Sequence, residues 1–215
     1  MSPTDRFIIR FDRWLRRFAA APAAGASARP APVPTLSENE EGGSLTERER
    51  RLSASLMRVN HAGEVAAQAL YEGQALGARQ DDVGERLREA AKEETDHLEW
   101  CAQRLEELGA APSRLDPLWY AGSFLVGLAA TARGDAASLG FVAETERQVV
   151  EHLRGHIERL PRADHRTRAI LRQMMRDEAR HGAAALAGGG RPPPLPVRMA
   201  MRLTAKVMTK TAYWV

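Results

Sequence analysis

The chain of 215 residues contains one cysteine, Cys101. A single thiol excludes a disulfide framework and any zinc or iron–sulfur site built from cysteines, and it suits a reducing compartment. Aromatic residues are scarce, at 6%, and strand-like alternation of polar and apolar residues is absent. No run reaches the roughly 18 apolar residues that mark a membrane-spanning helix. The first residues also lack the apolar stretch of a secretory signal. Ala, Leu, Arg and Glu are abundant instead, and all are good helix formers. An all-α chain is expected.

The net charge of +3 is unevenly spread. Residues 1–20 carry Arg6, Arg10, Arg13, Arg16 and Arg17 against Asp5 and Asp12. Residues 191–215 carry Arg191, Arg198, Arg202, Lys206 and Lys210 with no acid, so the middle is net acidic. An acidic body with basic ends argues against a nucleic-acid surface and for contact with anionic lipid. Phe7, Ile8, Phe11, Trp14, Leu15 and Phe18 share one helical face in a basic amphipathic segment, 1–20. Residues 21–45, rich in Ala and Pro, read as a flexible linker. The remaining domain, 46–215, begins at a capping box, Thr46-Glu-Arg-Glu49.

Helices are expected from there to about Ala78, from a second capping signal at Asp82-Val-Gly-Glu85 to Gly109, from Asp135 to Leu160 and from Asp164 to Ala187. A short apolar helix opens at Asp116-Pro117, with Asp as cap, and breaks at Gly134. A basic amphipathic helix closes the chain from Leu195 to Val215.

Two Glu-x-x-His motifs, Glu94-Thr-Asp-His97 and Glu178-Ala-Arg-His181, each place a carboxylate and an imidazole on one helical face. Chance spacing gives about half of one such pair in a chain of this composition, so the faces carry the argument. Around the first pair the stripe is Leu87, Ala90, Ala91, Leu98, Cys101 and Leu105; around the second it is Leu171, Met174, Met175, Gly182 and Ala185. The apolar face of the third long helix is interrupted only by Glu146, whereas Glu144 shares a polar face with Arg147, Gln148 and Glu151 and reads as solvated. Lone buried carboxylates cost several kcal/mol unless a cation compensates them.

Glu64 lies 30 residues before Glu94 and Glu146 lies 32 before Glu178, with offsets between halves of 82, 84 and 84. Two helical hairpins, each giving Glu and then Glu-x-x-His, make a ferritin-like four-helix bundle with a di-metal carboxylate site. Mixed oxygen and nitrogen ligands suit iron or manganese. The candidate ligands are Glu64, Glu94, His97, Glu146, Glu178 and His181, with Glu94 and Glu178 as the bridging pair.

The segments Arg58-Val-Asn-His-Ala-Gly-Glu-Val65, Glu94-Thr-Asp-His-Leu98, Phe141-Val-Ala-Glu-Thr-Glu146, Asp177-Glu-Ala-Arg-His181 and the Met208-Thr-Lys-Thr-Ala-Tyr-Trp-Val215 ending resemble the demethoxyubiquinone hydroxylase family. The resemblance spans about residues 46–215 and implies two iron ions on the same six residues. It implies O2-dependent hydroxylation of a polyprenylated methoxy-benzoquinol, in the penultimate step of ubiquinone synthesis. NADH is the implied electron source, and lipid-binding proteins or a biosynthetic complex are the implied partners. The implied location is a membrane surface, the cytoplasmic face of the inner membrane or the mitochondrial inner membrane in a eukaryote. The resemblance also singles out His152, six residues after Glu146, for substrate or proton handling; the family often has Tyr next to it, where this chain has Leu153.

Tyr71 reads as a packing tyrosine with a hydrogen-bonded hydroxyl, in preference to a radical site. Cys101 reads as an inert buried thiol, and His156 and His165 as solvated. His61 fits either a place beside the metals or one beside Glu64. Two competing classes share these features: an iron-storage ferritin, and a non-catalytic membrane-surface bundle whose buried Glu and His merely pair.

Overall fold

The computed structural model describes residues 29–33 and 44–215. The amphipathic reading of residues 1–20 lies outside the described residues, as does most of the linker. Among the described residues the α-helices are, in order, α1 Glu47–Gly77, α2 Asp81–Glu107, α3 Asp116–Ala130, α4 Asp135–Arg159, α5 His165–Ala187 and α6 Leu195–Ala212. No strand occurs among the described residues, as the missing alternation requires.

Each helix begins and ends for local reasons. The Thr46 hydroxyl accepts the Glu49 amide while the Glu49 carboxylate accepts the Thr46 amide, so the expected capping box closes α1. The signal at Asp82 is not a cap. α2 starts one residue earlier, and its flanking amides at Arg79 and Gln80 donate to the two oxygens of Asp135, at 3.0 and 2.9 Å. The carboxylate that serves this end therefore comes from α4. Asp116 likewise lies inside α3 rather than before it, because Leu115 occupies the N-cap position. Its buried carboxylate faces His61 Nδ1 at 3.0 Å, which locates that histidine. Gly109 and Gly134 adopt positive φ, 70° and 91°, where α2 and the turn after α3 end.

α1 pairs with α2 and α4 with α5, making two hairpins, while α3 and α6 both pack on α1. One apolar cluster holds Leu56, Met57, Trp100, Cys101, Leu105, Leu153 and Met174. A second holds Tyr71, Val83, Leu87, Leu139, Val142 and Ala185. On every helix of the two hairpins the candidate ligands fall between these clusters, which makes them a polar layer across the middle of the bundle.

Glu144 corrects the sequence reading. It is buried, with Arg147 bonded at 2.8 and 2.9 Å and Gln148 at 2.8 Å, and it forms an ion pair with Arg198 of α6 at 3.2 Å. Two arginines and an amide satisfy a carboxylate that helical phase alone assigned to solvent. The Arg147 bond, against the opposing effect of burial, pushes its carboxyl down to about 2. A depressed carboxylate stabilises the fold above its unfolded pKa, and that contribution fades as pH falls towards the folded value. Its arginine partners are partly exposed and screened. Glu144→Gln is expected to cost about 1 kcal/mol in urea unfolding at pH 7, with the difference from the parent vanishing as the pH approaches about 2.

Candidate metal centre

The six candidate ligands converge. Ligand atoms of Glu64, Glu94, His97 and Glu178 lie within 4.8 Å of one another, and all four residues are buried. His97 Nδ1 is 2.9 Å from Glu94 Oε2, 2.9 Å from Glu178 Oε1 and 3.5 Å from Glu64 Oε2. His181 Nδ1 is 3.3 Å from Glu94 Oε1 and 3.3 Å from Glu178 Oε2. Glu94 and Glu178 thus each direct one oxygen towards each imidazole. Glu64 lies on the His97 side. Glu146 bonds to Glu178 and accepts the Tyr71 hydroxyl, which bears out the hydrogen-bonded reading of Tyr71.

The charges follow from burial. Burial, with Glu94 and Glu178 nearby, pushes Glu64 well above the usual carboxylate range. Burial and the charges of Glu178 and Glu94 do the same to Glu146. Burial opposes ionisation of Glu94 as well, but His97 and His181 outweigh it and hold that carboxyl low. His97 rises against burial because of Glu94 and the acids around it, and His181 is pushed up to about 11 by Glu178 and Glu94.

Two residues that helical phase did not single out complete the layer. His97 Nε2 faces Asp177 Oδ2 at 3.2 Å, and His181 Nε2 faces Glu93 Oε2 at 3.1 Å. Each acid immediately precedes the inner Glu of one hairpin and reaches across to the histidine of the other. Arg180 joins the two acids, at 3.0 Å from Asp177 Oδ1 and 2.8 Å from Glu93 Oε2. The signal was the acidic residue before each Glu-x-x-His motif. Such partners fix which ring nitrogen faces inward, and here it is Nδ1 in both rings.

This donor set fits a pair of hard or borderline cations. Glu94 Oε1 and Glu178 Oε1 are buried and accept no hydrogen bond of acceptable geometry among the described residues. Four carboxylates around one point call for cations between them.

His152 stands apart from the cluster, about 9 Å further along α4 by helical rise. It lines a cavity of about 470 Å³ with His156, Val59, Arg159, Lys210, Tyr213 and Trp214. The His152 and His156 rings lie against each other, tilted by 56°, with centroids 3.9 Å apart. Burial lowers His152 to about 4, and burial with the neighbouring His152 and Arg159 lowers His156 to about 2. Both rings are neutral at pH 7. His156 is buried and faces Asn60 Oδ1 at 2.8 Å, so its solvated reading is corrected: α1 supplies an amide one helical turn before Glu64. Leu153 is fully enclosed by the first apolar cluster. Cys101 is buried as expected.

The family model of ubiquinone biosynthesis protein COQ7 matches residues 51–212. The chain is 56% identical over 209 residues to the 3-demethoxyubiquinol 3-hydroxylase of Cupriavidus pinatubonensis, covering 97% of this chain and 99% of that one. It is 54% identical over 211 residues to the enzyme of the same name from Nitrosomonas europaea, covering 98% of each. Among solved structures it resembles a dodecameric thioferritin, a bacterioferritin-related protein of Bacteroides fragilis. That likeness has a TM-score of 0.51 at 22% identity, over 66% of this chain and 85% of the other, and it identifies the fold as ferritin-like.

Proposed function

Since the chain belongs to the family of ubiquinone biosynthesis protein COQ7, we propose that it hydroxylates the ring of demethoxyubiquinol at a di-iron centre held by Glu64, Glu94, His97, Glu146, Glu178 and His181. The observation that carries the reading is the convergence of Glu94 and Glu178 on both imidazoles. Glu94 and Glu178, which face both imidazoles, would hold both ions, and Glu64, Glu146, His97 and His181 would complete the donor set. Iron, when bound, supplies the activation and two-electron reduction of O2 that side chains lack. The ring C–H becomes C–OH, the second oxygen atom leaves as water, and two electrons and two protons enter.

The protein's own part is to hold the ions, exclude water and position the ring. The apolar clusters above and below the ligand layer keep water out. Neutral His152 and His156 accept hydrogen bonds at pH 7, which suits a quinol hydroxyl in the cavity they line. The test is anaerobic ferrous reconstitution followed by one turnover with a short-chain demethoxyubiquinol. Mass spectrometry should show one added oxygen atom from 18O2; a quinol returned unchanged by a protein holding two irons overturns the assignment.

The lipid tail of such a substrate calls for a membrane surface. Among the described residues no helix is long and apolar enough to cross a membrane. Leu118, Leu125, Val126 and Leu128 of α3 are nevertheless exposed, as are Leu195, Met199, Leu203 and Val207 of α6. On α6 each of the last three follows directly after a basic residue, Arg198, Arg202 or Lys206, giving apolar and cationic stripes side by side. Trp119 at the start of α3 and Tyr213 just after α6 pack on one small cluster of Val59, Ala62 and Ala212. The protein is expected to float with phosphatidylglycerol-containing vesicles, and Met199→Glu with Leu203→Glu is expected to lower the bound fraction about tenfold. Equal flotation of parent and variant would argue against α6 as the docking face.

A further inference from the structure

Residues 29–33 fall inside the Ala- and Pro-rich stretch, yet they lie on the seam between the two hairpins. Arg29 Nε is 2.8 Å from Asp96 Oδ2 on α2, and its Nη1 is 3.0 Å from Asp177 Oδ2 on α5. The guanidinium sits 5.0 Å from the centroid of the Trp100 ring, and the Arg29 carbonyl accepts the Trp100 indole N–H at 3.0 Å. The Pro32 carbonyl accepts Arg166 of α5 at 2.7 Å, and Ala31 packs on the first apolar cluster. Backbone and side chain thus grip both helices.

The oxygen that Arg29 holds, Asp177 Oδ2, is the one that faces His97 Nε2. The two halves differ here. Asp177 is 1% exposed and enclosed by Arg29, whereas its counterpart Glu93 is 43% exposed. A buried carboxylate able to turn would release the His97 ring, and the ring could then swing Nδ1 away from Glu64, Glu94 and Glu178.

We propose that Arg29 is a positioning residue for one half of the metal centre: the 29–33 strap locks Asp177, Asp177 locks His97, and α2 is tied to α5 at the ligand layer. Arginine suits the task because two carboxylates on two helices need two separated N–H groups of one rigid fork. Arg29 lies before the residues matched by the family model. The inference rests on the metal-centre reading above.

The test is anaerobic Co(II) titration of the full chain, followed by calorimetry and by the visible Co(II) spectrum. The parent should take up two equivalents. Arg29→Gln should leave one equivalent at parental affinity and weaken the other by about tenfold or more, the usual size for losing a partner of a ligating histidine. Asp96→Asn, which alters the other end of the fork without touching Asp177, should give the same asymmetry to a smaller degree. Parental affinity for both equivalents in both variants overturns the proposal, and so does equal weakening of the two. A parent that binds no metal overturns the metal-centre reading instead.

Discussion

Glu178→Ala, reconstituted anaerobically with ferrous iron, is expected to hold no more than about one iron where the parent holds about two, and to lose hydroxylation by about a hundredfold or more. Glu178 offers its two oxygens to two imidazoles, 2.9 Å from His97 and 3.3 Å from His181, and also bonds Glu146. Among the described residues, Glu94 is the other carboxylate placed to serve both halves. The same variant separates function from stability through the sign of a second measurement. Were the cluster a set of structural ion pairs, removing one partner would destabilise the metal-free protein by about 3–5 kcal/mol. As a crowd of acids assembled for cations, it should be relieved by losing one, and the metal-free variant should resist urea at least as well as the parent. Iron content like the parent's, with a large loss of urea stability, would return the cluster to the structural reading.

Gly127→Ala is expected to destabilise the fold by about 3 kcal/mol while leaving iron stoichiometry unchanged in the folded fraction. α3 crosses α1 at backbone distance. A Cβ at residue 127 would sit 2.2 Å from the Leu70 carbonyl oxygen, and one at residue 73 would sit 2.2 Å from that of Phe124. The glycines interlock, each taking the other helix's backbone where a side chain would stand. The obstructing atoms are main chain inside regular helices, so they cannot rotate aside, and α3 must lift off α1. Tyr120 and Phe124, buried beside Val65 and Ala69, would lose their packing. Urea unfolding followed by circular dichroism measures the cost. A change below about 0.5 kcal/mol would mean that α3 does not need this close approach.

Much of this arrangement was legible in the amino-acid order because helical phase and burial speak the same language. A carboxylate in a stripe such as Leu171, Met174, Met175, Glu178 and Ala185 declares itself, since apolar neighbours define the face. The internal repeat then paired Glu64 with Glu146, although Glu64 sits among polar residues. What phase could not reveal were polar groups satisfied from another helix. Glu144 needed Arg198 of α6 to be buried, and His156 needed Asn60 of α1. Asp177 and Glu93 act across the seam, so neither shows on its own helix. The cap at α2 failed for the same reason: a local signal at Asp82 was overruled by a carboxylate more than fifty residues away. Pairing partners are a property of the assembled bundle, and one helix at a time does not contain them.

The carboxylate of Asp135 has a bearing on the order in which the chain acquires its structure. It holds the amides of Arg79 and Gln80 at the mouth of α2, and it belongs to the opposite hairpin. A nascent first hairpin therefore has α1 and the body of α2 but no partner for the amides at its own bend, and that end frays as helix ends do. The bend closes only when α4 arrives, after α3 and the turn at Gly134 have been laid down. The same arrival brings Glu146 and the second half of the ligand layer. The second hairpin thus supplies both the carboxylate that caps the bend of the first and the other half of the ligand layer.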